Sequence, residues 1–227
     1  MRGSLFCIGT GPGDPELLTL KAARLIRESD LIAVPDTDSV ALKIASGAVP
    51  EIAGKQVLTL SMPMVRDRKV LDTAHRKAAS ELELALDQGK NIVYLTLGDP
   101  SVYCSFTYLA RLLKSDGYPF QYVSGVTSFS AAAARLGIPL SEGNESLHIL
   151  PASCQPETAD ELRGTCVIMK SGQNLGAVKA SLLKSGRKIQ GVTNCGMEDE
   201  RVYYSAEEIP DNAGYFTLLI TKEPGSA

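Results

Sequence analysis

Three short polar stretches, LTLGDPSVYCS, GTGPGD and SGVTS, carry the residues best able to hold a small molecule. In the first, Gly98-Asp99-Pro100 breaks an apolar run. Gly98 permits positive φ or close approach by another group. Pro100 fixes its own φ and pushes Asp99 away from helical conformation. In the second, Gly9, Gly11 and Gly13 follow a GxGxG spacing rather than GxGxxG, and Pro12 removes an amide that a phosphate would use. This loop reads as a tight backbone turn that lets something flat or bulky approach. The third offers the hydroxyls of Thr127 and Ser128. Simpler roles stay open: Asp99 can hold its own turn, and Thr127 can cap the helix that follows it.

The elements around these stretches alternate. Ile92–Leu95 is β-branched and aromatic, as suits a strand buried on both faces, and Val102, Phe106, Leu109 and Leu113 then recur at helical spacing. Leu5–Ile8, Leu31–Val34, Val57–Leu60 and Phe120–Val123 read as further strands. The spacing predicts helices carrying Leu17, Leu20, Ala23, Leu25 and Ile26, over Ser39–Gly47, over Arg66–Gln88, and over Phe129–Leu136. Such alternation predicts a mostly parallel, doubly wound sheet, with ligands beyond the carboxyl ends of its strands. The polar stretch GIPLSEGNES is the expected linker, giving an N-terminal α/β domain over residues 1–138 and a C-terminal α+β domain over 145–227. In the latter, Leu147–Leu150, Cys166–Met169, Ile189–Thr193, Arg201–Tyr204 and Tyr215–Thr221 are strands of a mixed sheet. Glu157–Leu162 and Asn174–Lys184 are its helical segments.

Composition narrows the chemistry. The 227 residues carry 23 basic and 26 acidic side chains, a net charge of −3, without the basic field that nucleic-acid binding needs. No stretch approaches a membrane span, and the apolar run near Met1 is too short for a signal peptide. The five cysteines, Cys7, Cys104, Cys154, Cys166 and Cys195, show no CxxC spacing, and only His75 and His148 could join them, so no metal site is expected. Reduced thiols in a cytoplasmic protein follow. Cys104, Cys195 and His148 read as packing residues, and His75, beside Arg76 and Lys77, as part of a solvated face.

In sequence order, GTGPGDPELLTLKAARLIRESDLIAVPD, LTLGDPSVYCS, SGVTSFSAAAARLGIPL and GMEDERV resemble the tetrapyrrole (corrin/porphyrin) methyltransferases over nearly the whole chain. SMPM, TLGDPSVY, GVTSF and NESLHILPA are similar to the branch that methylates carbon 20 of precorrin-2 or cobalt-factor II in cobalamin biosynthesis. The resemblance implies a two-domain homodimer that uses S-adenosylmethionine. Carried over by position, it implies cofactor contacts from Pro12, Leu97, Gly98, Asp99, Val102, Thr127 and Ser128. It implies adenine contacts from Met169, Lys170, Cys195 and Gly196, although some relatives carry Met where Lys170 stands. Asp36 matches a position where a related enzyme keeps a general base. A cofactor without phosphate loses nothing at Pro12. The implied substrate is a flat polycarboxylate, so a local basic rim is needed; Arg66, Arg68 and Lys69 are its candidates, with Met64 as a soft wall. Methylation at another ring position, and a non-catalytic binder of the cofactor or pigment, are the competing readings.

Overall fold

The computed structural model describes residues 1–35, 39–151, 162–170 and 175–223. It divides into two compact units, Met1–Thr127 and Ser128–Ala227.

The first unit is a five-stranded sheet of β1 (Leu5–Gly9), β2 (Leu31–Val34), β3 (Gln56–Thr59), β4 (Ile92–Thr96) and β5 (Phe120–Val123). The order is β3-β2-β4-β1-β5 and every pairing is parallel. β1, β2 and β4 are buried almost throughout, as their continuous apolar runs require. Side-chain alternation along the central strands serves both faces. Ile8, Ile32, Val34, Val93 and Leu95 pack under α1 (Leu20–Glu28) and α2 (Val40–Ala48). Leu5, Cys7, Ala33, Ile92 and Tyr94 pack under α3 (Arg68–Asp87) and α4 (Phe106–Ser115).

Three details depart from the expected helices. Leu17 lies in a separate 3-10 turn, Leu20 is 90% exposed, and α1 instead buries Ala22, Leu25 and Ile26. Thr19 caps α1 by accepting the Ala22 amide at 3.2 Å, so Leu20 is the first helical residue and lies outside the buried stripe. Val102 precedes α4 by four residues; its amide donates to the Asp99 carbonyl at 3.2 Å, closing the turn before the helix starts. His75 is buried at 8% exposure and stacks on Tyr108, ring centroids 4.7 Å apart, rather than facing solvent.

The second unit has a mixed sheet of β6 (Leu147–Pro151), β7 (Thr165–Met169), β8 (Lys188–Thr193), β9 (Arg201–Tyr203) and β10 (Thr217–Lys222), ordered β6-β7-β10-β8-β9. Only β6 and β7 pair in parallel. α6 (Leu175–Lys184) buries Leu175, Val178 and Leu182 in this unit's core. α5 (Ser128–Leu136) also belongs here, because it packs on β8, β9 and β10. The units therefore divide before α5, whereas the expected boundary at 138 kept that helix with the first domain. The expected helical segment Glu157–Leu162 falls almost wholly outside the described residues.

Candidate functional site

All five strands of the first sheet point the same way, so their carboxyl ends form one edge. The chain leaves β1 toward α1 on one face and leaves the adjacent β4 toward α4 on the other. Adjacent strands that diverge in this way open a crevice at their carboxyl ends.

The crevice floor is built from backbone. Gly11 (φ +80°) and Gly98 (φ +70°) make a two-residue antiparallel bridge, Gly11 N to Gly98 O at 3.2 Å and Gly98 N to Gly11 O at 2.8 Å. A Cβ on Gly9 would lie 2.3 Å from the Gly98 carbonyl oxygen, and a Cβ on Gly125 would lie 2.3 Å from the same atom and 2.7 Å from the Gly9 carbonyl carbon. No side chain fits between these three strand ends. A Cβ on Gly98 would meet nothing within 4 Å. The glycines at 9 and 125 thus let the strand ends close on one another, while the one at 98 leaves its outer side open to another molecule.

Asp99 fastens this floor. One carboxylate oxygen accepts the Ser101 amide at 2.8 Å and the Ser101 hydroxyl; the other accepts the Gly125 amide at 2.9 Å. Burial, to 8% exposure, works against the charged form, but Ser101, Gly125 and Ser124 outweigh it and hold the carboxyl below the usual range. The carboxylate is therefore committed to joining the β4 and β5 loops. Pro12 is buried beside the bridge, while Leu97, Val102, Thr127 and Ser128 are half-buried. Tyr103, 43% exposed, holds φ +49°, a backbone strain that functional loops often keep. Sequence reasoning missed Ser101, Gly125 and Tyr103 here. Ser101, two residues after Asp99, is an Asx-turn signal, whereas nothing in a tyrosine's chemistry announces positive φ.

Met64, Arg66, Arg68 and Lys69 leave the same edge from β3, an edge strand, and all four are exposed. Asp67 starts α3, accepting the Lys69 amide at 2.9 Å. Arg68 and Lys69 then open the helix, where positive charge opposes the helix dipole. Their placement does nothing for the helix and leaves their charges available to an anion. Asp36 lies outside the described residues.

In the second unit, β7 and β8 both run antiparallel to β10, so their carboxyl ends share an edge two strand spacings apart, about 10 Å. Lys170 (φ +59°) and Asn194 (φ +51°) both take left-handed backbone at those ends. Met169 is half-buried, Cys195 is buried, and the Gly196 amide donates to Glu200 at 2.6 Å. Burial opposes the Glu200 charge, yet Arg135 and the Gly196 amide hold its carboxyl below the usual range. Burial and the neighbouring Glu200 push the Cys195 thiol up to about 11, so it is no nucleophile at neutral pH. Among the described residues no His/Cys/Asp/Glu cluster could hold a metal ion, and no helix is long and apolar enough to cross a membrane.

Comparisons with known proteins converge. The model of the Tetrapyrrole (Corrin/Porphyrin) Methylases matches residues 4–210. A Methanocaldococcus jannaschii protein named probable cobalt-precorrin-2 C(20)-methyltransferase is 35% identical over 87% of this chain and 85% of its own. The cobalt-precorrin-2 C(20)-methyltransferase of Salmonella typhimurium is 32% identical over 98% of each chain. Among solved structures, a cobalt precorrin-4 methyltransferase superposes with a TM-score of 0.79 over 96% of this chain and 94% of its own, at 20% identity. The uroporphyrin-III C-methyltransferase of Thermus thermophilus superposes with a TM-score of 0.70 over 98% and 93%, at 24% identity. The family match covers both units and the motifs that build the crevice floor, and the chain belongs to the tetrapyrrole (corrin/porphyrin) methylases.

Proposed function

We propose that this protein transfers a methyl group from S-adenosylmethionine to carbon 20 of precorrin-2 or its cobalt complex in cobalamin biosynthesis. The observation that carries this reading is the 31–35% identity to proteins named for that reaction, over 87% to 98% of this chain. The floor of the crevice fits the cofactor on its own chemistry. The side of Gly98 turned away from the glycine bridge is open, and Pro12 offers no amide for a phosphate. Neither basic nor acidic side chains beyond the committed Asp99 are needed to hold a zwitterionic, sulfonium-bearing nucleoside there.

When bound, the cofactor supplies an electrophilic methyl on a cationic sulfur, with a neutral thioether as leaving group. The protein's part is then chiefly positioning, for which effective molarities of roughly 10⁵–10⁸ M are available. Pro12, Leu97, Gly98 and Val102 line the donor, the Asp99 carboxylate keeps the Gly98 and Gly125 loops in register, and Thr127 and Ser128 supply hydroxyls to its polar end. Met169, Lys170, Cys195 and Gly196 take the adenine. One proton must leave the methylated carbon, and Asp36 is assigned as its acceptor by the family resemblance. Asp36→Asn is expected to slow methyl transfer at least tenfold while S-adenosylhomocysteine binds as before; single-turnover rates and calorimetry separate the two effects.

Arg66, Arg68 and Lys69 anchor the pigment's carboxylates, with Met64 against its flat face. Arg66→Ala is expected to raise the KM for the tetrapyrrole about tenfold, as loss of one charge-assisted contact does, with the cofactor KM nearly unchanged. Steady-state kinetics with each substrate varied in turn reads this, and the reverse pattern removes the assignment. The family resemblance further implies a homodimer, and the cysteine usage a cytoplasmic one. The function itself is tested by incubating the protein with S-adenosylmethionine and precorrin-2, or its cobalt complex, and weighing the product. A gain of one methyl at carbon 20 supports the reading; tight pigment binding without turnover favours a carrier.

A further inference from the structure

β10 begins at the edge where β7 and β8 end. It lies between those two strands and runs antiparallel to both, so its amino end fills the gap between their carboxyl ends. Tyr215 and Phe216 stand there, immediately ahead of Thr217. The Asn194 amide donates to the Phe216 carbonyl at 3.3 Å, which ties the pair to the left-handed residue just before Cys195 and Gly196. On the other side β7 runs out through Met169 into left-handed Lys170.

Exposure at this edge is inverted. Thr193 and Thr217 are buried with their hydroxyls 2.8 Å apart, and the Thr217 hydroxyl donates to the Ala213 carbonyl at 2.8 Å. The Thr217 amide closes on the Gly214 carbonyl at 3.3 Å, so the backbone that carries the two rings is fastened from beneath. The rings themselves stay outside, Tyr215 46% and Phe216 42% exposed. They meet edge to face, centroids 5.3 Å apart and planes at 76°. One ring of such a pair touches the other through its rim alone, which leaves its own faces for another partner. Large apolar side chains held together outside, above buried hydroxyls, mark a binding surface rather than core. A platform ordered in advance costs its ligand little entropy.

We propose that Tyr215 and Phe216 form an aromatic platform on which the adenine of S-adenosylmethionine stacks. The assignment rests on the cofactor reading above and adds two residues that the family resemblance does not supply. The base is the part of the donor suited to this surface. It is flat and uncharged and has a π-face to lay on a ring, whereas the ribose and the charged amino-acid end gain nothing from an apolar wall.

Both rings are exposed, so Tyr215→Leu and Phe216→Leu are expected to unfold at the parent's temperature. Calorimetry on the full-length protein is expected to show S-adenosylhomocysteine bound about tenfold more weakly by each, as loss of one base–aromatic stack gives. The chain contains no tryptophan, so Tyr215→Trp or Phe216→Trp places a single indole in the platform. Each is expected to keep the parent's affinity, with its emission quenched as S-adenosylhomocysteine binds. Loss of affinity at one position alone supports the platform with that ring as the stacking face. Parent affinity in both leucine variants, with an indole silent to S-adenosylhomocysteine or responsive only to precorrin-2, would overturn the platform and leave the cofactor reading standing. Failure of the unaltered protein to bind S-adenosylhomocysteine would remove both.

Discussion

Gly125→Ala is expected to cost about 3 kcal/mol of stability and to lower affinity for S-adenosylhomocysteine about a hundredfold. The added methyl would sit 2.3 Å from the Gly98 carbonyl oxygen and 2.7 to 2.8 Å from the Gly9 carbonyl group. All these neighbours are backbone, so no rotamer change relieves the clash, and the strand ends must part. Overpacking a well-fitted interior typically costs about 1–3 kcal/mol, and here the displaced atoms are the bridge itself. A shift of about 1 Å in positioning groups can cost roughly 10²-fold. Gly98→Ala separates stability from binding. Its methyl would meet nothing within 4 Å, so the folded state bears only the strain of positive φ, about 1–2 kcal/mol. The methyl enters the open side, however, so ligand affinity is expected to fall more than stability does. Thermal unfolding and calorimetry on both variants check the pair of outcomes. Wild-type affinity in both would remove the glycine floor from the account.

Asp99→Ala is the second large effect, about 3 kcal/mol of stability with cofactor binding weakened about tenfold or more. The carboxylate accepts from two amides and a hydroxyl, and hydrogen bonds to charged groups are worth about 1.5–3 kcal/mol each. The total stays below the sum because Ser101 is exposed and water can replace one partner. Asp99→Asn should recover part of the loss, since a carboxamide oxygen still accepts. The pH dependence has a definite sign. The folded pKa is depressed, so the carboxylate's contribution is complete above the unfolded value of about 3.9 and is lost as pH falls through the folded value. The stability gap between wild type and Asp99→Ala is therefore expected to hold at neutral pH and to close in that acid window. Chemical unfolding across pH reads it directly, and a gap that persists below the window would show that packing, not charge, holds the loop.

Much of the frame was legible because it depends on local pattern. β1, β2 and β4 are continuous apolar runs, and the glycines and Pro100 that end β1 and β4 mark the breaks where the structure places them. Local pattern also misled. Leu20 and Val102 fit a helical period yet fall at or before a helix start, where capping at Thr19 and the Asp99 turn decides the boundary. His75 lies between charged neighbours in sequence, yet its ring is buried by Tyr108 from another helix. What the sequence could not announce was contact at a distance. Asp99 meets Gly125 across 26 residues, and α5 groups with β8, β9 and β10, all later in the chain. The family resemblance implied that Asp99 lines a ligand; geometry gives its carboxylate the prior task of shaping the loop that would.

The most direct measurement is a crystal structure of the full-length protein with S-adenosylhomocysteine. The account predicts the thioether nucleoside seated on the open side of Gly98, with its polar end at Thr127 and Ser128. Density for the ligand elsewhere, with the Gly11–Gly98 bridge untouched, would contradict it.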